Sequence, residues 1–248
     1  MSLFAHQIRA DQLVFWRNRE SAVFVFLFPV LLFVLLSIVY SGEYRGRPVT
    51  DYLVPSLITY GVANTAFGGL AIILVVRREL GILKRIRATP LPSWMYLSAT
   101  LCSTLLVFTL QAAAIMALGR LLYDWHLPSE WPSLFAAFLL GAICFAGMGF
   151  GAASLIRSAE GASAVVNVVT LPMAFLSGGF GPTRDYPEVL QAIADALPLT
   201  YLVDIVQGIV YDEKPIWEQP GAVAVLLAWG LAGTLIAARL FAWEPRER

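Results

Sequence analysis

Charge is what this chain has least of. Only 14% of its 248 residues are Asp, Glu, Lys or Arg, while 58% are hydrophobic. Soluble domains carry about a quarter charged residues, so composition points to a membrane protein. The 17 basic and 17 acidic residues cancel, leaving no bulk field to attract nucleic acid. Cysteine and histidine are scarce as well, with two of each. Cys102 and Cys144 lie inside apolar runs and read as small buried hydrophobes, with no disulfide framework. His6 and His126 stand apart from one another, so no metal centre is expected. No G-x-x-x-x-G-K-[ST] stretch is present to cradle phosphates. The nearest glycine cluster, GMGFGAAS at Gly147 to Ser154, falls within an apolar run. Gly147 and Gly151 are four apart there, which suits close helix packing in lipid. G-x-S-x-G and H-E-x-x-H are also lacking, which disfavours an intramembrane enzyme.

Long apolar runs are what the chain does have. Six of them, at about 22–40, 53–76, 96–119, 133–156, 161–181 and 221–238, suffice to cross about 30 Å of hydrocarbon as helices. Lipid cannot satisfy exposed backbone groups, so helices are required. None of the six contains Asp, Glu, Lys, Arg or His. Proton or sodium coupling normally uses intramembrane ionisable groups, so an ion-coupled carrier is the weaker reading. It stays open only through backbone coordination at broken helices. An even number of spans puts both termini on one side. Of the 17 lysines and arginines, 12 fall in segments 1–21, 77–95, 157–160 and 239–248, against 5 in the others. The positive-inside rule then makes both termini cytoplasmic. The expectation is one multi-pass transmembrane domain over 1–248. The first run is too long for a signal-peptide core, and Tyr40 spoils a cleavage site, so it reads as the first span.

Between the runs lie shorter features. LFAHQIRADQLVFWRNRE reads as an N-terminal interfacial helix with Phe4, Ile8 and Phe15 on one face; Asp11 falls on that face and breaks the pattern. After the fifth run, Pro187 can open a short helix and Pro198 can end it. Thr200 can then cap a second helix over about Tyr201 to Val210, too short to span and therefore re-entrant or interfacial. Asp204 is the acid of that helix; it caps, meets a partner or reaches headgroups. Gly178 and Gly179 stand where an outer gate could bend or a loop could turn. The span polar residues Asn64, Thr65, Gln111, Asn167 and Thr170 either hydrogen-bond between helices, worth about 0.6 kcal/mol on average, or line a pathway.

The exception to the scarcity of charge is VVRRELGILKRIRATPLPSW, Val75 to Trp94. Arg77, Arg78, Lys84, Arg85 and Arg87 crowd into eleven residues there. Read as a helix of about ten residues, Ile82, Leu83 and Ile86 form one stripe, with Lys84 and Arg85 elsewhere. Thr89 precedes Pro90, and Pro92 repeats the stop. Such a helix is either a topology anchor at anionic lipid or a docking helix for a cytoplasmic partner. The stripe and the fixing prolines favour docking.

RRELGILKRIRATPLP, Arg77 to Pro92, resembles the cytoplasmic-loop signature of type 2 ABC exporter permeases, especially the daunorubicin-resistance-like drug exporters. FLSGGFGPTRDYPEVLQAIADALPLTYLVDIVQGIV, Phe175 to Val210, resembles that family's span-five end and outer helices. The likeness covers nearly the whole chain. One departure is Gln207, neutral where many relatives carry a basic residue. The resemblance implies an all-α membrane protein with six spans, an N-terminal interfacial helix, a coupling helix between spans two and three, and short outer re-entrant helices. It implies a bacterial inner-membrane permease subunit exporting a hydrophobic or amphipathic molecule such as a drug, antibiotic or lipid, with a lipid-linked glycan as the alternative. A separate ABC ATPase, in two copies, would bind ATP and magnesium, so that this chain needs no cofactor and has no enzyme activity of its own. A second permease copy would pair with it in the lipid bilayer. By position, Arg77, Arg78, Glu79, Gly81, Leu83, Lys84, Arg85, Arg87, Pro90 and Pro92 would couple to the ATPase.

Overall fold

The computed structural model describes residues 3–40, 42–44, 46–181, 183 and 186–244. Arg45, Arg184, Arg246 and Arg248, which enter the charge balance, lie outside that set. The described residues are helical apart from loops and one minimal hairpin, in which Glu43–Tyr44 pairs antiparallel with Arg47–Pro48. Six helical stretches are long and apolar enough to cross a membrane: Ala22–Val39, Val49–Glu79, Ser93–Tyr123, Trp131–Leu155, Ala159–Leu176 and Pro220–Leu240. This is the expected all-α architecture.

Helix α1 (Leu3–Arg17) precedes span one, which lies in α2 (Arg19–Val39). Span two is composite: α3 (Val49–Ala63), a π-helical turn at Asn64–Gly69, and α4 (Leu70–Glu79). The loop helix α5 (Ile82–Arg87) leads into span three, α6 (Ser93–Tyr123). Spans four, five and six are α7 (Trp131–Leu155), α8 (Ala159–Leu176) and α11 (Pro220–Leu240). Between the last two lie α9 (Glu188–Ala194) and α10 (Pro198–Asp212).

Span two is the centre of the bundle. Nearly every residue of α3 is buried, and α2, α6, α7 and α10 all pack on it. Spans two and three each run 31 residues, roughly 46 Å at about 1.5 Å per residue. They extend past the limits set by the apolar pattern because a helix continues where its charged end finds partners. Span five instead stops at Leu176, five residues early, because Gly178 turns the chain with φ +77°.

Spans four and six make the closest packing in the molecule. A Cβ added at Gly151 would lie 2.8 Å from the Gly233 carbonyl oxygen, and one at Gly230 would lie 2.9 Å from Cys144 Cα. The backbones therefore touch, as the Gly147/Gly151 spacing predicts. At Gly149 the same absence of a side chain admits the Ala66 and Phe67 carbonyls of the π turn.

Helices α9 and α10 meet at 89°. Leu199, Leu202, Ile205, Val206 and Ile209 are all buried, against spans two, four and six. This is the pair of short helices the sequence anticipates, with one correction. The second helix starts at Pro198, where proline suits the first turn, and not after Thr200. Thr200 Oγ1 donates to Ala194 O at 2.6 Å and ties the two helices together.

Candidate functional site at the charged end of span two

Helix α4 ends where Leu80 N–H donates to Val76 O and Gly81 N–H to Arg78 O. Gly81 has φ +69° with open space where a side chain would be, so glycine is needed for backbone reasons alone. The chain restarts at once as α5. It is six residues long, shorter than the ten anticipated, because this turn cuts it off at one end and the Thr89–Pro90 stop at the other. Thr89 Oγ1 donates to Ile86 O at 2.6 Å there. Pro92 then caps α6 with extended backbone.

The apolar stripe of α5 faces opposite to the expectation. Leu83 is fully buried in the core of the bundle and Ile86 packs against that core. The stripe holds the helix to its own bundle, because burial there removes it from water and headgroups alike. The outer side displays Lys84, Arg85 and Arg87 beside exposed Leu80, Pro90, Pro92 and Trp94. Lys84 Nζ lies 3.5 Å from a Glu244 carboxylate oxygen, with both side chains exposed; such pairs contribute about 1 kcal/mol at most.

Arg77 and Arg78 do not belong to that outer face. Arg77 Nη2 meets Asp11 Oδ1 of α1 at 2.8 Å, and its Nη1 donates to Tyr96 Oη of α6 at 2.7 Å. The guanidinium carbon also stands 5.8 Å from the Tyr96 ring centroid. Arg78, 2% exposed, donates to Ala153 O at 2.8 Å and to Ile156 O at 2.5 Å. Glu79 is exposed but engaged: its Oε2 accepts the Ala159 N–H at 2.5 Å. Three consecutive side chains thus reach α1, α6, α7 and α8. The ten residues grouped by sequence divide into an internal set (Arg77, Arg78, Leu83), a turn glycine (Gly81) and a surface set.

Sequence reasoning missed Asp11 as a functional residue. A signal existed, since positions 4, 8, 11 and 15 share one helical face. Phe4, Ile8 and Phe15 on that face are half-buried and Asp11 is buried. The acid that spoils the stripe is the counter-charge of Arg77. Gln12 Nε2 adds a second tie from α1, donating to Ser103 Oγ at 2.8 Å.

The span polar residues gather only in part. Thr65 Oγ1 and Gln111 Oε1 approach to 3.5 Å beside half-buried Asn64, at the π turn. Thr170 donates to Val166 O within its own helix at 2.7 Å. Asn167 lies on the exposed face of α8. At the opposite end of span two, Tyr52 Oη donates to Gly178 O at 2.8 Å, and Gly179 N–H donates to Ala174 O at 2.9 Å. Gly178 and Gly179 form a helix-ending turn tied to span two. Gln207 Nε2 donates to Ser56 Oγ at 2.8 Å, making a neutral tie between α10 and span two. Asp204 is exposed on α10.

The chain is similar to known transport permeases. The model of the "ABC-2 type transporter" family matches residues 3–211. "Putative transport permease YvfS" of Bacillus subtilis (strain 168) is 24% identical over 239 residues, 96% of this chain and 96% of the relative. "Probable multidrug ABC transporter permease YbhR" of Escherichia coli (strain K12) is 25% identical over 166 residues, 66% of this chain and 45% of that protein. "Inner membrane transport permease YhhJ" of the same strain is 23% identical over 139 residues, 56% of this chain and 37% of that protein. The chain therefore spans nearly all of the Bacillus relative and less than half of the Escherichia ones.

Proposed function

This chain belongs to the ABC-2 type transporter family, and from that premise we propose that it is the permease subunit of an ATP-driven exporter. A separate ATPase chain supplies the energy, and two permease copies enclose the path in a bacterial inner membrane. The cargo is a hydrophobic or amphipathic molecule of the drug or antibiotic class. The similarity to the Escherichia relative named "Probable multidrug ABC transporter permease YbhR" supports that class, as does the apolar character of the spans.

The observation that carries the reading is the division of labour in α5. Its apolar side is built into the bundle through Leu83, while Lys84, Arg85 and Arg87 point outward. A helix so held cannot swing independently of span two. Force on its basic face enters the core directly. A partner groove bearing carboxylates would engage that face, and closure of two ATPase subunits would then move the packed spans as bodies.

The test is a charge reversal, Arg85→Glu with Arg87→Glu, in the permease co-expressed with its ATPase. Both side chains are exposed, so membrane insertion should be retained. Copurification with the ATPase, or transport per ATP hydrolysed, should fall about tenfold or more. Normal export by the double variant would refute the assignment of the basic face.

A further inference from the structure

Arg78 and Glu79 hold two helix ends at once. Ala153 lies in the last turn of α7, and Ile156 is the residue that caps it. The Arg78 guanidinium bonds the carbonyls of both. Ala159 is the first residue of α8, and its N–H goes to Glu79. The final carbonyls of a helix are left without partners within it and carry partial negative charge; the first N–H groups carry partial positive charge. A cation therefore sits at the negative end of span four, and an anion at the positive end of span five. Only Ile156, Arg157 and Ser158 separate those two ends. Ser158 Oγ accepts from Gly161 N–H at 3.2 Å, closing the turn from the span-five side.

The position of this dipeptide matters as much as its bonding. Glu79 is the last residue of α4, and three residues later α5 begins. Leu83 of α5 is buried in the same core as α4 and α7. A displacement of α5 thus moves Arg78 and Glu79 before it is spread through side-chain packing. Arg78 donates to two backbone oxygens in the fixed geometry of a guanidinium fork, so it passes on rotation as well as translation.

We propose that Arg78 and Glu79 are positioning residues that splice the span four–five connection to the loop helix, so that spans four and five follow the lever directly. The proposal rests on the export reading for its purpose, but its geometry belongs to the permease alone. It places Glu79 in an internal bond, where its position in the loop would otherwise suggest a contact with the ATPase.

The first experiment needs no ATPase. In a background carrying Cys102→Ser and Cys144→Ala, spin labels are placed at Ala88, just after the loop helix, and at Arg157, in the span four–five connection. Both positions are exposed. The purified full-length permease in lipid nanodiscs should give one narrow distance distribution. Arg78→Met and Glu79→Ala should each broaden it, and Glu79→Gln, which keeps an oxygen acceptor, should restore much of the sharpness. Glu79 is at the surface, so its variants keep the test alive if Arg78→Met does not fold. An unchanged distribution in Glu79→Ala overturns the splice.

The second experiment uses the complete complex. Glu79→Ala should keep the ATPase bound and hydrolysing while transport per ATP falls about fivefold or more, the lower range of coupling energies. Loss of ATPase binding in that variant would instead make Glu79 a contact residue and overturn the proposal. Broadening in the permease alone, with no ATPase partner found, would sink the export reading and leave the splice standing.

Discussion

Asp11 shows how much one side chain can depend on a distant one. Its carboxylate and the Arg77 guanidinium have side chains only 6% and 10% exposed, and Gln7 Nε2 also donates to its Oδ1 at 3.0 Å. Removing one member of a buried pair leaves a charge without compensation and costs about 3–5 kcal/mol. Asp11→Ala should therefore lower the thermal unfolding midpoint of the purified permease markedly. Asp11→Ala combined with Arg77→Met should lose less than the two single changes added together, because the pair is coupled. Additive losses in that cycle would mean the ion pair contributes nothing of its own. The acid was visible in the sequence as a break in an apolar stripe. Its partner was not, because 66 residues separate them and periodicity reports only on a residue's own helix.

At the scale of elements, small residues decide where two spans can touch. The spacing of Gly147 and Gly151 was legible as a packing face, since glycine four apart lets backbones approach in lipid. That the face meets Gly230 and Gly233 of span six was not legible, because several spans carry small residues. Gly151→Leu would force a side chain into the Gly233 carbonyl, whose oxygen is 2.8 Å from an ideal Cβ. We expect a loss of about 2 kcal/mol or more of stability, read as a lowered unfolding midpoint in detergent. Gly221→Ala, at the start of span six with open space around it, serves as the control and should change little. Equal effects of the two would show that the spans are not in backbone contact. The loop helix α5 gives the opposite lesson: its amphipathic pattern was legible, but which neighbour takes the apolar side was not. A stripe only states that something covers it; here the cover is the permease core.

For the whole molecule, charge distribution and burial must agree on which side faces the cytoplasm. Cysteines introduced at Ala88 and Arg157, in the cysteine-free background, should react with a membrane-impermeant maleimide only after the membrane is opened. A cysteine at Lys214, in the exposed connection between α10 and α11, should react in intact cells. The reverse pattern would invert the topology and with it the side from which an ATPase could reach α5. The six spans themselves were readable to within a few residues at most boundaries. Span two runs on into charged sequence, because Arg77, Arg78 and Glu79 find partners inside the protein and the helix has no reason to stop.

The sequence by itself determined that this chain lies in a membrane, how many times it crosses, and that its one dense cluster of positive charge stands between the second and third crossings. Those properties follow from transfer of side chains out of water and from helical period, both of which are local. Only the tertiary structure decided that the cluster is split, with Arg77 and Arg78 turned inward to α1, α6 and α7 and with Lys84, Arg85 and Arg87 left outside. The partners of the inward pair lie 66 to 78 positions from them in the chain, apart from Tyr96. A buried guanidinium must find its acceptors wherever packing brings them, and no pattern along the chain records where that is.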